Sequence, residues 1–184
     1  MTSTDRLPAG GPPAARPGRH PLPLHDRGEL RGVLGRFATG VTVLTAGRTA
    51  PRGMTANSFT SVSLDPAVIL VCVLRTAAVH ETILAEQAFA VSVLSGTQEK
   101  AARHFADRHR PRGAQEFEAV ETVPGRFTGA PVLVGAQAWL ECELTAEYDG
   151  GDHSIFLGSV LDIGRGPADD PLLYFAGGFH RLDD

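Results

Sequence analysis

The chain has 184 residues, 42% of them apolar, and a net charge of −4 from 17 basic and 21 acidic side chains. That length holds one domain with a sizeable core. Lys100 is the only lysine and no basic stripe runs along the chain, which excludes a general nucleic-acid binder needing clustered cations for phosphates.

Residues 1–24 are Pro, Gly, Ala and Arg with little to bury, and read as a disordered arm ahead of one ordered domain, 25–184. The arm lacks an apolar signal-peptide core. No apolar run approaches the roughly 18 residues of a membrane helix, so the expected location is cytoplasmic and off the membrane. Asp26-Arg27-Gly28-Glu29 has capping-box spacing, and Leu30, Val33, Leu34 and Phe37 follow at helical intervals. This predicts a short amphipathic helix ending near Gly40. The period then changes. Val41–Thr45 alternates and is β-branched, a strand. Residues 47–51 are turn-like, Met54–Ser63 is a second strand, and Asp65-Pro66 marks a turn. Val68–Leu74 is continuously apolar, the pattern of a strand buried on both faces.

Thr76 is placed to cap a helix through Glu86. Phe89–Leu94 is another strand, and Thr97 is placed to cap a helix to about Ala106. Residues 107–116 read as a charged loop. Strands follow at about 132–134, 136–148, 154–163 and 172–175, and after Gly177-Gly178 at 179–182. With no regular β-α alternation and no internal repeat, the fold class is mainly β, an antiparallel barrel with a few short flanking helices. No Gly-x-Gly-x-x-Gly follows a strand, so a Rossmann site is unsupported. Cys72 and Cys142 lie in apolar strands and read as reduced, buried thiols.

The strand from Gly53 to Ser63 is unusual. Thr55, Asn57, Ser58, Thr60, Ser61 and Ser63 surround one large apolar residue, Phe59. Buried polar groups need partners, so the strand either faces water or serves a polar ligand. A flavin suits the second case, since its ring edge takes short neutral donors and acceptors and its tail takes hydroxyls and backbone N–H groups. Gly151-Asp152-His153 is an ordinary turn with a surface histidine, unless that histidine faces a cleft. His20 and His25 fall in or beside the arm. His104 and His109 flank a helix end, and no His/Cys cluster has zinc spacing, so no metal site is expected. Arg103, Arg108, Arg110 and Arg112 around Asp107 form either a solvated face or a contact for an adenylate or pyrophosphate.

Residues 37–45, FATGVTVLT, followed by 53–66, GMTANSFTSVSLDP, resemble the opening of the flavin reductase family. These are the small FMN-binding split-barrel proteins that supply reduced flavin to two-component monooxygenases. The resemblance continues in order through Phe89–Ser95 with Gln98, Leu140–Glu143, Gly151–Gly158 and Pro171–Phe175. It implies that Thr55, Ala56, Asn57 and Ser58 line the isoalloxazine ring, and that Ser61, Val62 and Ser63 approach the ribityl phosphate. It implies further that Cys72 passes near the flavin and that Arg75 and His80 lie near its phosphate end. Asp152 counts with the cofactor-binding residues. The resemblance also implies that His153 points into the cleft over the flavin, where the nicotinamide lands, as the one catalytic side chain. Hydride passes between the two cofactors, so no nucleophile or general-base triad is expected. FMN or FAD, NADH or NADPH, a homodimer and a separate monooxygenase component are implied in the same way.

The chain departs from the family's pattern in two places. Ala176, Gly177 and Gly178 stand where a basic residue often follows the Leu-Tyr-Phe run, and Leu74 stands where a polar residue often precedes the Arg or Lys. Both leave open FMN against FAD and NADH against NADPH. The leading function is an NAD(P)H:flavin oxidoreductase releasing reduced flavin. The alternatives keep the fold but fix the flavin for work on an organic substrate, or make the protein a non-catalytic flavin-binding subunit.

Overall fold

A computed structural model describes residues 27–111, 113–167 and 170–182. The arm, the capping residue Asp26 and Arg112 lie outside the described residues. In chain order the elements are α1 (Arg27–Leu34), β1 (Thr39–Gly40), β2 (Thr42–Ala46), β3 (Arg52–Ala56), β4 (Thr60–Leu64), β5 (Ala67–Leu74), α2 (Ala78–Glu86), β6 (Ala88–Val93), α3 (Glu99–Ala106), β7 (Thr122–Pro124), β8 (Pro131–Leu133), β9 (Ala138–Gly150), β10 (His153–Arg165), β11 (Leu173–Phe175) and β12 (Gly178–His180). Short 3-10 turns occupy Gly96–Gln98 and Gly113–Phe117. The expected mainly β class holds.

Seven strands form one antiparallel sheet in the order β3-β2-β6-β9-β10-β5-β4. Its two edges, β3 and β4, are neighbours in sequence, joined only by residues 57–59. Such a link reaches at most about 14 Å. Laid flat, six inter-strand spacings would separate the edges by about 29 Å. The sheet therefore curls until its edges meet at the link. The single strand expected over 54–63 is thus two strands on opposite edges. Ser58 explains the break: its hydroxyl donates to the carbonyl of Cys72 (3.0 Å) and accepts from the Cys72 N–H (3.1 Å). Beyond the end of β4 it serves the backbone of β5 as a neighbouring strand would. Phe59 packs against the core beneath.

That core holds Leu44, Ile69, Val71, Val73, Phe89, Val91 and Phe156 inside the curl, plugged at one end by Val79 and Ile83 of α2. Each such side chain contributes about 1.5–3 kcal/mol when fully buried. The expectation that β5 is buried on both faces is corrected. Ile69, Val71 and Val73 are buried, whereas Leu70, Cys72 and Leu74 on the other face are half-buried, and part of that face borders a cavity.

Three boundaries also differ. α1 stops at Leu34 and leaves its apolar residues Leu30, Val33 and Leu34 exposed, and residues 39–40 pair with β11 instead of extending the helix. Thr76 does not cap α2: Ala77 is the N-cap and supplies no side-chain bond. Ser95, not Thr97, opens the next helical segment, through a capping box with Gln98. The strand expected at about 132–134 is β8, and it pairs in a hairpin with β7, which the sequence did not signal. The hairpin is fixed by Glu141, a fully buried carboxylate on β9. Glu141 accepts from the N–H groups of Arg126 (2.7 Å), Phe127 (3.0 Å) and Thr128 (2.7 Å) and from the Thr128 hydroxyl (2.7 Å). Burial pushes its pKa up, but these bonds outweigh burial and hold it below the usual range.

Candidate active site

A cavity of about 720 Å³ opens where the edges of the sheet meet, within the range of small-molecule sites. Its first wall is β3 and the link. Residues of an antiparallel edge strand turn their N–H and C=O groups alternately toward and away from the partner strand. Gly53 faces away from β2: its N–H donates to Oε1 of Glu116 (3.0 Å) and its carbonyl accepts from Arg110. Thr55, two residues on, turns its backbone the same way. Its hydroxyl is tied to the Ala102 carbonyl of α3 (2.6 Å). Gly53 must be glycine, because an added Cβ would meet the buried Phe105 ring at 2.6 Å. Asn57 is exposed at the cavity, and Ser58 and Cys72 continue the wall across the seam. Burial pushes the Cys72 thiol up, against a smaller lowering by Ser58.

The second wall is the end of β5 and the start of α2, contributed by Leu74, Thr76, Ala77, Ala78 and Glu81. The first N–H groups of α2 lack a capping side chain, so the positive end of this helix opens on the cavity. His153, first residue of β10, completes this side. The preceding turn is held from β5 by Arg75. Its backbone N–H donates to the Asp152 carbonyl (3.1 Å), its Nε to the Gly151 carbonyl (3.2 Å), and its Nη2 to Asp149 (3.0 Å). Asp152 lies 2.7 Å from Nδ1 of His153, and that bond holds the Asp152 carboxyl below its usual range. A carboxylate only accepts, so Nδ1 carries a proton, and in the neutral ring Nε2 is an acceptor.

Six residues expected from the sequence therefore line one cavity: Thr55, Ala56, Asn57, Ser58, Cys72 and His153. The other six stand elsewhere. Ser61, Val62 and Ser63 are on β4, with a bulge at Val62. Arg75 and Asp152 brace the turn before His153. His80 is buried, with Nε2 2.8 Å from the Ser154 hydroxyl, which donates to Glu147 (2.6 Å). Because that hydroxyl's proton goes to Glu147, His80 donates through Nε2, linking α2 to the strand that carries His153. The third wall comes from the segment that reads as a charged loop. Arg108 and Arg110 are two of the four arginines that the sequence left as either a solvated face or a phosphate contact, whereas Glu116 carried no signal. Among the described residues no group of three His, Cys, Asp or Glu side chains is placed to hold a metal ion, and no helix is long and apolar enough to cross a membrane.

The sequence signature described as "Flavin reductase like domain" matches residues 34–183. An NADH-dependent FAD reductase of Streptomyces globisporus is 54% identical over 157 residues, 85% of this chain and 86% of that protein. An NADH-dependent flavin reductase of a Rhodococcus species is 38% identical, over 88% of this chain and 87% of that protein. Among solved structures, the flavin reductase component of a bacterial two-component tryptophan halogenase matches with a TM-score of 0.82 at 50% identity, covering 86% of this chain and 99% of that one. The Streptomyces globisporus NADH:FAD oxidoreductase, in complex with NAD and FAD fragments, matches with a TM-score of 0.81 at 51% identity, covering 86% and 93%.

Proposed function

The chain belongs to the flavin reductase family, and from that premise we propose that it is an NAD(P)H-dependent flavin reductase that supplies reduced FMN or FAD to a partner monooxygenase. The observation that carries this reading is that Thr55–Ser58 and His153, distant in sequence, line one cavity. When bound, the nicotinamide supplies the hydride and the flavin accepts it. The chain supplies position and hydrogen bonds.

Thr55, Ala56, Asn57 and Ser58 hold the ring. The outward backbone groups of Thr55 and the free amide of Asn57 match the ring's neutral polar edge. The uncapped start of α2, beside Arg75, suits a phosphate, and Ser61, Val62 and Ser63 on the adjoining edge are kept for the ribityl tail. Cys72 gives the seam a neutral, uncharged surface. His153 receives the nicotinamide carboxamide through the acceptor Nε2 that Asp152 enforces. His80 braces α2 against β10 and so supports the phosphate end from behind. We take residues 25–184 as the catalytic domain and the cytoplasm as its place of work. A homodimer is supported by the apolar side chains left exposed on α1, with Phe37 at 77% and Leu64 of β4 at 90%.

Aerobic NADH and NADPH oxidation by the pure protein, with and without added FMN or FAD, tests the function. Oxidation that depends on free flavin is the expected result. A yellow protein inert to both nucleotides but active on an organic substrate would replace the shuttle by a fixed prosthetic group.

A further inference from the structure

Resting on that reading, we propose that Arg108 binds the pyrophosphate of a dinucleotide, contributed by FAD or by the nicotinamide nucleotide. Three arginines, Arg52, Arg108 and Arg110, line the same cavity as the ring-binding residues. Two of them are already committed. Arg110 donates through Nε to Glu116 (2.8 Å), through Nη1 to the Asp107 carbonyl (2.7 Å), and through Nη2 to the Gly53 carbonyl. Arg52 donates to the Pro51 carbonyl (3.3 Å) and lies 3.8 Å from Glu116. Glu116 is only 2% exposed, so this carboxylate needs its cations where they are.

Arg108 is different. It is exposed at the cavity and has no hydrogen-bond or ion-pair partner among the described residues. The nearest acid in sequence does not neutralise it, because Asp107 accepts from the N–H of His109 (2.8 Å) and lies 3.4 Å from its Nδ1. Nor does the segment float. The Asp107 N–H is bonded to the carbonyls of Arg103 (3.1 Å) and His104 (3.2 Å) at the end of α3, and Arg110 fastens it to Gly53 two residues later. The result is a backbone anchored at the rim of the site, carrying a guanidinium whose donors are unused among the described residues. Its planar fork matches two phosphate oxygens at once. With the flavin's first phosphate assigned to the α2 end in the function proposed above, the group left for a further cation is the additional phosphate of a dinucleotide.

Arg108→Ala in the full-length protein tests this, with Arg165→Ala as a control for general loss of positive charge. A FAD source predicts a KM for FAD raised about tenfold while that for FMN stays put. A nicotinamide source predicts a KM for NADH raised about tenfold with either flavin. Arg108→Lys recovers part of the loss. ADP, which carries the same pyrophosphate, provides a readout without turnover: calorimetry should detect binding to the unmodified protein and about tenfold weaker binding to Arg108→Ala. Unchanged ADP affinity, or KM values within about twofold for both nucleotides while the unmodified protein still reduces flavin, overturns the proposal. An unmodified protein that reduces no flavin sinks the function on which it rests.

Discussion

The two halves of the run 53–63 read as one strand in the sequence and are structurally opposite. Residues 53–56 sit on one edge of the curled sheet, tied down by Glu116, Arg110 and Ala102, and they line the cavity. Residues 60–64 sit on the other edge, largely exposed, with a bulge at Val62. One continuous run thus yields a fixed wall in its first half and a solvated edge in its second. The difference comes from what packs behind each half. α3 and the following loop cover β3, whereas among the described residues β4 is an edge strand that pairs only with β5.

Substitutions of graded severity can break this contrast. Gly53→Val should be the most damaging, since its side chain would collide with the buried Phe105 ring. We expect a loss of about 3 kcal/mol by denaturant unfolding, from overpacking. Ser58→Ala removes both bonds to the Cys72 backbone and leaves those groups partly buried. It should cost about 2 kcal/mol and loosen the seam, read by the same unfolding curves and by faster amide exchange in β5. His153→Ala, across the cavity, should leave stability and flavin affinity intact but lower kcat/KM for NADH about tenfold, roughly 1.4 kcal/mol. Unchanged steady-state kinetics would remove His153 from the mechanism. Ser61→Ala, in the exposed half, should change stability by less than about 0.5 kcal/mol and weaken FMN binding about threefold at most. If Ser61→Ala proved as disruptive as Ser58→Ala, the contrast between the two edges would fail.

The strand-rich class, the order of most elements and half of the site were legible in the sequence, because alternation and motif order act locally. The resemblance placed Thr55–Ser58 and His153, and the fold brings them to one cavity. The break at residues 57–59 was not legible. Ser58 looks like any other hydroxyl in the run until Cys72 stands opposite it. Glu116 and Glu141 were equally opaque. One is buried against two arginines and the other against a ring of backbone N–H groups, and neither arrangement leaves a periodic trace. The N-cap errors at Thr76 and Thr97 differ in origin: Ser95 and Gln98 have capping-box spacing that the sequence displays, whereas no side chain marks Ala77 as the start of α2.

The central claim is that the cavity wall at residues 55–58 holds the flavin ring. Asn57 tests it most cleanly, because its side chain is exposed, lines the cavity, and has no hydrogen-bond partner among the described residues, so the fold does not depend on it. Flavin fluorescence titration should give a Kd for Asn57→Ala about tenfold weaker than for the unmodified protein, at an unchanged melting temperature. An unchanged Kd would contradict the account.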